Sequence, residues 1–283
     1  MLSSFACRAE IEFKPYEEYL SSLYAQSEYR NMDRVLDAIE EYAKANGIAP
    51  GKYALEYAGI AALDDKSLFV SYPEIYAMQA RAVFTAAYKL QAEKVDIKPE
   101  IMIPIVMNAA ELKLIIYGKK IEGKTYKGII DIEEDIRKAL KAKAIPYRVG
   151  SMIELPAAAL VAGEIAKYSE FFSFGTNDLT QTTLGISRDD FNTFMPDYSL
   201  FDLVEGNPFS NLVTPVKELV AMATRRGRMT RPSLQVGLCG EHGANPDNVR
   251  FCMEAELDYV SCSPYSVPIA CLAVAQAELE KAK

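Results

Sequence analysis

Histidine is almost missing from this chain: the 283 residues hold one, His242. The five cysteines, Cys7, Cys239, Cys252, Cys262 and Cys271, form no C-x-x-C pair. With one histidine and no such pair, a zinc site of the usual kind is not expected. Most of these cysteines sit in apolar surroundings and read as small buried hydrophobes. No Walker-type or other glycine-rich loop is present to cradle the phosphates of a nucleotide. The longest apolar stretches, such as Ala157 to Gly163, fall far short of the roughly 20 residues that span a bilayer. The start, Met1 to Arg8, lacks a basic leader followed by an apolar core. No signal peptide is expected, and the expected compartment is cytoplasmic. Lysines and arginines are interspersed with acids and the net charge is −8, which argues against a nucleic-acid partner.

What is present is core-forming material, since 50% of the residues are hydrophobic, enough for one large core or two modest ones. Residues 1–70 read as a helical segment. Val35, Leu36, Ile39, Tyr42 and Ala43 share a helical face, with Asn31 or Asp33 as the start signal and Gly47 as the stop. From there on, five strand-then-helix units begin at Ile101, Val149, Phe171, Gln235 and Asp258. Ile101 to Val106 is continuously apolar, the pattern of a strand covered on both faces. Helices are expected over 110–116, 134–143, 156–167, 213–224, 248–255 and 267–279. A Gly/Lys-rich surface turn is expected over 118–128, and a lid or packing loop over 189–211. Consecutive βα units point to an α/β fold, either a (β/α)8 barrel or a doubly wound open sheet, because unit count does not show closure.

Two of these units stand in tandem. Val149 to Ile153 ends at Glu154 before Pro156 opens a helix, and Phe171 to Phe174 breaks at Gly175 into Thr176-Asn177-Asp178. Tandem units imply neighbouring parallel strands whose C-terminal ends share a rim. Glu154 and Asp178 are thereby expected to face one cleft, as two carboxylates suited to a hard divalent cation with positions left for substrate oxygens. The ordinary reading of either acid alone is a helix N-cap or a solvated surface group.

The motifs Gly150-Ser151-Met152-Ile153-Glu154-Leu155-Pro156, Phe171 through Gln181 and Ser187-Arg188-Asp189-Asp190 resemble the phosphoenolpyruvate (PEP)/pyruvate-binding barrel of the pyruvate, phosphate dikinase family. So do the stretch 71–84, Glu111-Leu112-Lys113, Cys239-Gly240-Glu241-His242-Gly243 and 258–264. The related PEP synthase and the sugar-phosphotransferase Enzyme I share less of the pattern. The resemblance implies a TIM-barrel-like domain over 71–283 in which strands four to eight are recognisable. Residues 1–70 are left as an unrelated or diverged helical segment.

By the same resemblance, Glu154 and Asp178 ligate Mg2+ against pyruvate or PEP, with Asn177, Gly175 and Thr176 lining the substrate. Gly175 and Gly240 allow the backbone to approach the substrate closely. Asn177 donates a hydrogen bond to a substrate oxygen, though as a turn residue it has an equally ordinary use. Cys239 matches the general acid that protonates the enolate carbon, and a thiol of pKa about 8.5 can give and recover a proton near neutrality. Glu241 and His242 follow it and could orient it, although a lone histidine is more often a structural hydrogen-bonder.

The family's phosphohistidine and ATP-binding domains have no counterpart here. The resemblance therefore implies a homodimer, or association with chains that carry those domains. The family's substrate arginines are missing too, since the place of one reads Asp65-Lys66-Ser67-Leu68-Phe69-Val70. A lysine there does not replace a bidentate guanidinium. The rival expectation is a non-catalytic, degenerate barrel or gene fragment kept for oligomerisation or for binding a dikinase.

Overall fold

A computed structural model describes residues 70, 73–204 and 206–281. The helices expected within 1–69 lie outside the described residues. The chain divides into a unit over 3–79 and another that includes 80–283. The sheet and its helices belong to the second.

Helix α1 (Pro73–Ala92) precedes strand β1 (Glu100–Ile103) and helix α2 (Ala109–Tyr117). A hairpin of β2 (Lys119–Ile121) and β3 (Lys124–Tyr126) leads to α3 (Ile129–Leu140). Then come β4 (Arg148–Ile153), the short helices α4 (Pro156–Leu160) and α5 (Ala162–Ile165), β5 (Phe171–Gly175) and α6 (Thr176–Leu184). Helix α7 (Phe191–Leu200) and the long α8 (Thr214–Thr230) are followed by β6 (Gln235–Cys239) and a 3-10 turn over Glu241–Ala244. Helix α9 (Pro246–Glu254), β7 (Tyr259–Ser261) and α10 (Val267–Lys281) complete the described chain.

Strands β1, β4, β5, β6 and β7 form one sheet in that order, and every neighbouring pair is parallel. The five expected strands are thus the five of this sheet. Parallel pairing follows from the helical crossovers, which return the chain to the same end of the sheet each time.

Side chains alternate between the two faces along each strand. One face carries Ile103, Val149, Ile153, Phe172, Phe174, Val236 and Leu238, all buried. It packs against the helices: a Cβ added at Gly227 of α8 would lie 2.8 Å from the Phe172 ring and 2.6 Å from Leu234. The opposite face carries Arg148, Met152, Gln235, Cys239 and Tyr259, all half-buried, and Met102, which is 38% exposed. On this face rings lie flat over glycines, Phe171 over Gly150 and Tyr259 over Gly237, where an added Cβ would come within 2.4 and 2.1 Å of ring carbons. The expectation that the first strand is covered on both faces is therefore corrected at Met102. Among the described residues β1 lies at the end of the sheet order, which the continuous apolarity of Ile101 to Val106 does not reveal.

Other boundaries moved for local reasons. Strand β1 stops at Ile103 because Ile105 adopts φ 51°, a left-handed conformation that a β-branched residue rarely takes. Helix α3 starts at Ile129 rather than residue 134, since the Asp131 carboxylate accepts the Gly128 N–H at 3.0 Å. The helix expected over 156–167 is broken at Val161 into two. The expected surface turn over 118–128 is a hairpin, whose two-residue loop Glu122-Gly123 has φ 49° and 82°, the sign pattern of a type I′ turn. The excursion over 189–211 contains α7 and packs on itself, with Phe191, Met195 and Phe209 buried together.

Candidate functional site

The C-terminal ends of β4, β5 and β6 bring the acidic and thiol groups to one rim. Glu154 follows β4 immediately and is only 2% exposed. The N–H of Ile105, just past the end of β1, donates to its Oε1 at 2.5 Å, so the left-handed kink at Ile105 aims a backbone donor at this carboxylate. Such a conformation costs of the order of 1–3 kcal/mol and persists where surrounding structure enforces it. Gly175 ends β5 beneath the same carboxylate, and an added Cβ would lie 2.3 Å from Glu154 Oε2. The close approach that requires this glycine is therefore that of Glu154.

Asp178 stands in the first turn of α6, where negative charge is favoured by the helix dipole. Gln181 Nε2 donates to its Oδ1 at 3.1 Å. Thr182 Oγ1 lies 2.6 Å from the Asp178 carbonyl and 3.3 Å from the Glu154 carbonyl, linking the two strand ends. Asn177 Oδ1 is buried and has no protein hydrogen-bond partner.

Cys239 closes β6 in register with Gly175, and its Sγ donates to the Phe174 carbonyl at 3.5 Å. Burial pushes the thiol above its ordinary value, a hydrogen bond from Ser173 pulls it down, and the charges of Glu154 and Asp178 push it up again. Both carboxylates thus act on one thiol. Ser173 also bonds Tyr259, whose phenol is raised chiefly by burial. Ser173, Tyr259 and the Ile105 N–H join the site only through the pairing of neighbouring strands. Period-2 alternation put Ser173 on the face of Gly175, but no single segment could show that Tyr259 reaches it.

The remaining expected residues have protein partners. Thr176 is fully buried, with Oγ1 2.8 Å from His242 Nδ1 and 3.1 Å from the Cys239 carbonyl. Gly240 has φ 120°, open to glycine alone, and an added Cβ would come within 3.0 Å of Thr176 Oγ1. The Gly240 approach is again made by protein groups, Thr176 and Asn177. His242 is fully buried and its Nε2 lies 2.9 Å from the Pro208 carbonyl. Glu241 points outward and pairs with Arg188 at 2.7 Å.

Among the described residues no group of three or more His, Cys, Asp or Glu side chains is placed to hold a metal. That rules against a closed protein cage.

The sequence matches the PEP-binding domain of the PEP-utilising enzymes over residues 65–279. The chain belongs to this family. A pyruvate, phosphate dikinase of Treponema pallidum is 69% identical over 214 residues, 76% of this chain and 24% of that one. The Clostridium symbiosum dikinase is 49% identical over 75% of this chain and 23% of its own length. A chloroplastic maize dikinase is 44% identical over 94% of this chain and 26% of its own, a match that reaches into the N-terminal segment. The chain spans about a quarter of the length of these curated relatives. A citrate lyase of Burkholderia xenovorans LB400 aligns at 15% identity with a TM-score of 0.38, over 62% of this chain and 48% of that one, too slight a likeness to argue from. Within the PEP-binding domain no described helix is long and apolar enough to cross a membrane.

Proposed function

We propose that the rim formed by Glu154, Asn177, Asp178 and Cys239 is the PEP/pyruvate half-site of a dikinase-like phosphotransferase. The phosphoryl group comes from a phosphohistidine on another domain or chain. The observation that carries the reading is the thiol of Cys239, which stands at a parallel strand end in register with Gly175, the residue that lies against the Glu154 carboxylate. Burial, the largest influence on it, raises the Cys239 thiol above its ordinary pKa and so favours the protonated form required of a general acid. The S–H proton passes to the methylene carbon of the pyruvate enolate, leaving a thiolate. In the reverse direction the thiolate takes a proton from the pyruvate methyl group.

Glu154 and Asp178 hold Mg2+ between them in this reading. Bound there, the ion supplies positive charge beside the developing enolate oxygen, worth several kcal/mol. Glu154 is oriented by the Ile105 N–H. Asn177 donates its Nδ2–H to a substrate oxygen in this reading, and its buried Oδ1 has no protein partner. Gly175 and Thr176 shape the floor rather than bind through side chains.

The sheet corresponds in this reading to strands four to eight of the barrel, with residues 71–283 as the barrel portion. The half-buried face then awaits cover from residues 1–70, a second copy, or chains that carry the phosphohistidine and ATP-binding domains. The exposed Met102 equally favours a second reading, a non-catalytic barrel kept for assembly.

Exchange of pyruvate methyl protons in deuterated buffer separates the two. Exchange that requires Mg2+, Cys239 and Asp178, and falls away in Cys239→Ala and Asp178→Ala, supports the half-site. No exchange and no oxalate binding moves the chain to the assembly role. Two lost arginine contacts, each about 1.5–3 kcal/mol, set affinity in the millimolar range at best. Purified chain given ATP, phosphate, pyruvate and Mg2+ is expected to form no PEP, and formation of PEP would overturn the half-site reading.

A further inference from the structure

His242 has no part in the chemistry above, yet it is fully buried between two polar atoms of known type. Its Nε2 faces the carbonyl oxygen of Pro208 at 2.9 Å, and its Nδ1 faces Thr176 Oγ1 at 2.8 Å. A carbonyl only accepts, so Nε2 carries the hydrogen. In the neutral ring Nδ1 is then a bare lone pair, and the one donor within reach is the Thr176 hydroxyl. That hydroxyl has a single hydrogen and a second acceptor, the Cys239 carbonyl at 3.1 Å.

We propose that His242 is a positioning residue for Cys239: as the Nε2–H tautomer it accepts the Thr176 hydroxyl hydrogen and so ties the first turn of α6 to the 3-10 turn that follows Cys239-Gly240. The lock has three attachments. Pro208 fixes the ring from the 201–213 segment, whose Ser210 carbonyl in turn accepts from Asn248 Nδ2. The same Asn248 amide donates to the His242 carbonyl at 3.1 Å, fixing the backbone of the 3-10 turn. Thr176 lies over Gly240, where an added Cβ would come 3.0 Å from its hydroxyl. Thiol, helix terminus and outer segment are thereby held in one register. The inference rests on the reading of Cys239 as the acid, but its test does not depend on turnover.

Because the chain has one histidine, 15N labelling of histidine gives a spectrum of His242 alone. At pH 7.5 the expected spectrum is that of the neutral Nε2–H tautomer, with the Nδ1 resonance displaced by an accepted hydrogen bond. Thr176→Val, close to isosteric, moves Nδ1 to the position of an unbonded lone pair. Thr176→Ser, which keeps the hydroxyl, restores it. In parallel, iodoacetamide labelling of Cys239, read by peptide mass spectrometry, changes about tenfold in Thr176→Val and returns toward wild type in Thr176→Ser, the size set by one net hydrogen bond. An Nδ1–H tautomer, an imidazolium at pH 7.5, or a Thr176→Val protein with unchanged Nδ1 and unchanged Cys239 labelling would overturn the proposal. Loss of pyruvate exchange in wild type, with these signatures intact, would sink the half-site and leave the lock standing.

Discussion

On the helix-covered face of the sheet, Ile153, Phe172, Phe174, Val236 and Leu238 are fully buried. On the opposite face Arg148, Met152, Gln235 and Cys239 keep part of their surface in solvent. The first face is apolar and close-packed. The second is built from glycines, flat rings and a polar ladder in which Arg148 bonds Glu100 on β1 and Gln235 on β6 while lying over the Phe171 ring. Such a face does not make a core unaided. It keeps room above the backbone, and the chemistry is collected at its C-terminal end. In the proposed reading the covered face holds the fold and the open face carries the function, so substitutions on the two should fail in different ways.

The largest contrast is expected in activity. Cys239→Ala and Asp178→Asn should lower Mg2+-dependent pyruvate exchange by about a hundredfold or more, the scale of a lost general acid, with thermal melting near that of wild type. A large drop in melting temperature for either variant would blur the distinction between the faces. Next comes stability. Phe172→Ala on the covered face should cost about 3–5 kcal/mol in denaturant unfolding, transfer and cavity terms together. Met102→Ala on the open face, already 38% exposed, should cost less than about 1 kcal/mol. Equal costs would mean that the open face is as tightly packed as the other.

The expected strands came through in number and order because each ends at or near a strong signal: Pro104 after β1, Pro156 after β4, Gly175 at the end of β5, Gly240 after β6 and Pro264 after β7. Glu154, Asp178 and Cys239 were legible for the same reason, as strand-end residues whose position follows from the βα repeat. Ser173, Tyr259 and the Ile105 N–H were not, because their meeting depends on register between strands and on a backbone angle that isoleucine seldom adopts. The β2–β3 hairpin escaped notice because its loop is Glu-Gly rather than the Asn-Gly or Asp-Gly that marks a type I′ turn. Which face lies open was invisible as well. Alternation in Phe171-Phe172-Ser173-Phe174-Gly175 separates two faces but does not say which one helices cover.

Smaller effects sharpen the comparison. Burial holds His242 below the ordinary histidine pKa, so the unfolded chain takes up this proton first as pH falls. The stability that this histidine contributes is complete above about pH 6.5 and is lost as pH drops toward the folded value. Melting temperatures between pH 7.5 and 5.5 should therefore fall more steeply in wild type than in His242→Gln, and parallel slopes would contradict a buried neutral ring. Thiol reactivity gives the mildest contrast. Exposed Cys271 should label first and half-buried Cys239 more slowly, while Cys252, buried under the helices and pushed up to about 12, should resist.

The most direct measurement of the central claim uses Mn2+ in place of Mg2+ and follows the pyruvate methyl resonance by proton NMR. The account predicts paramagnetic broadening of that resonance in the presence of the protein, abolished in a Glu154→Gln, Asp178→Asn double variant that still folds, with half-saturation in the millimolar range. Broadening that survives the double variant, or its absence in wild type at saturating Mn2+ and pyruvate, would contradict a metal-dependent pyruvate site on the open rim.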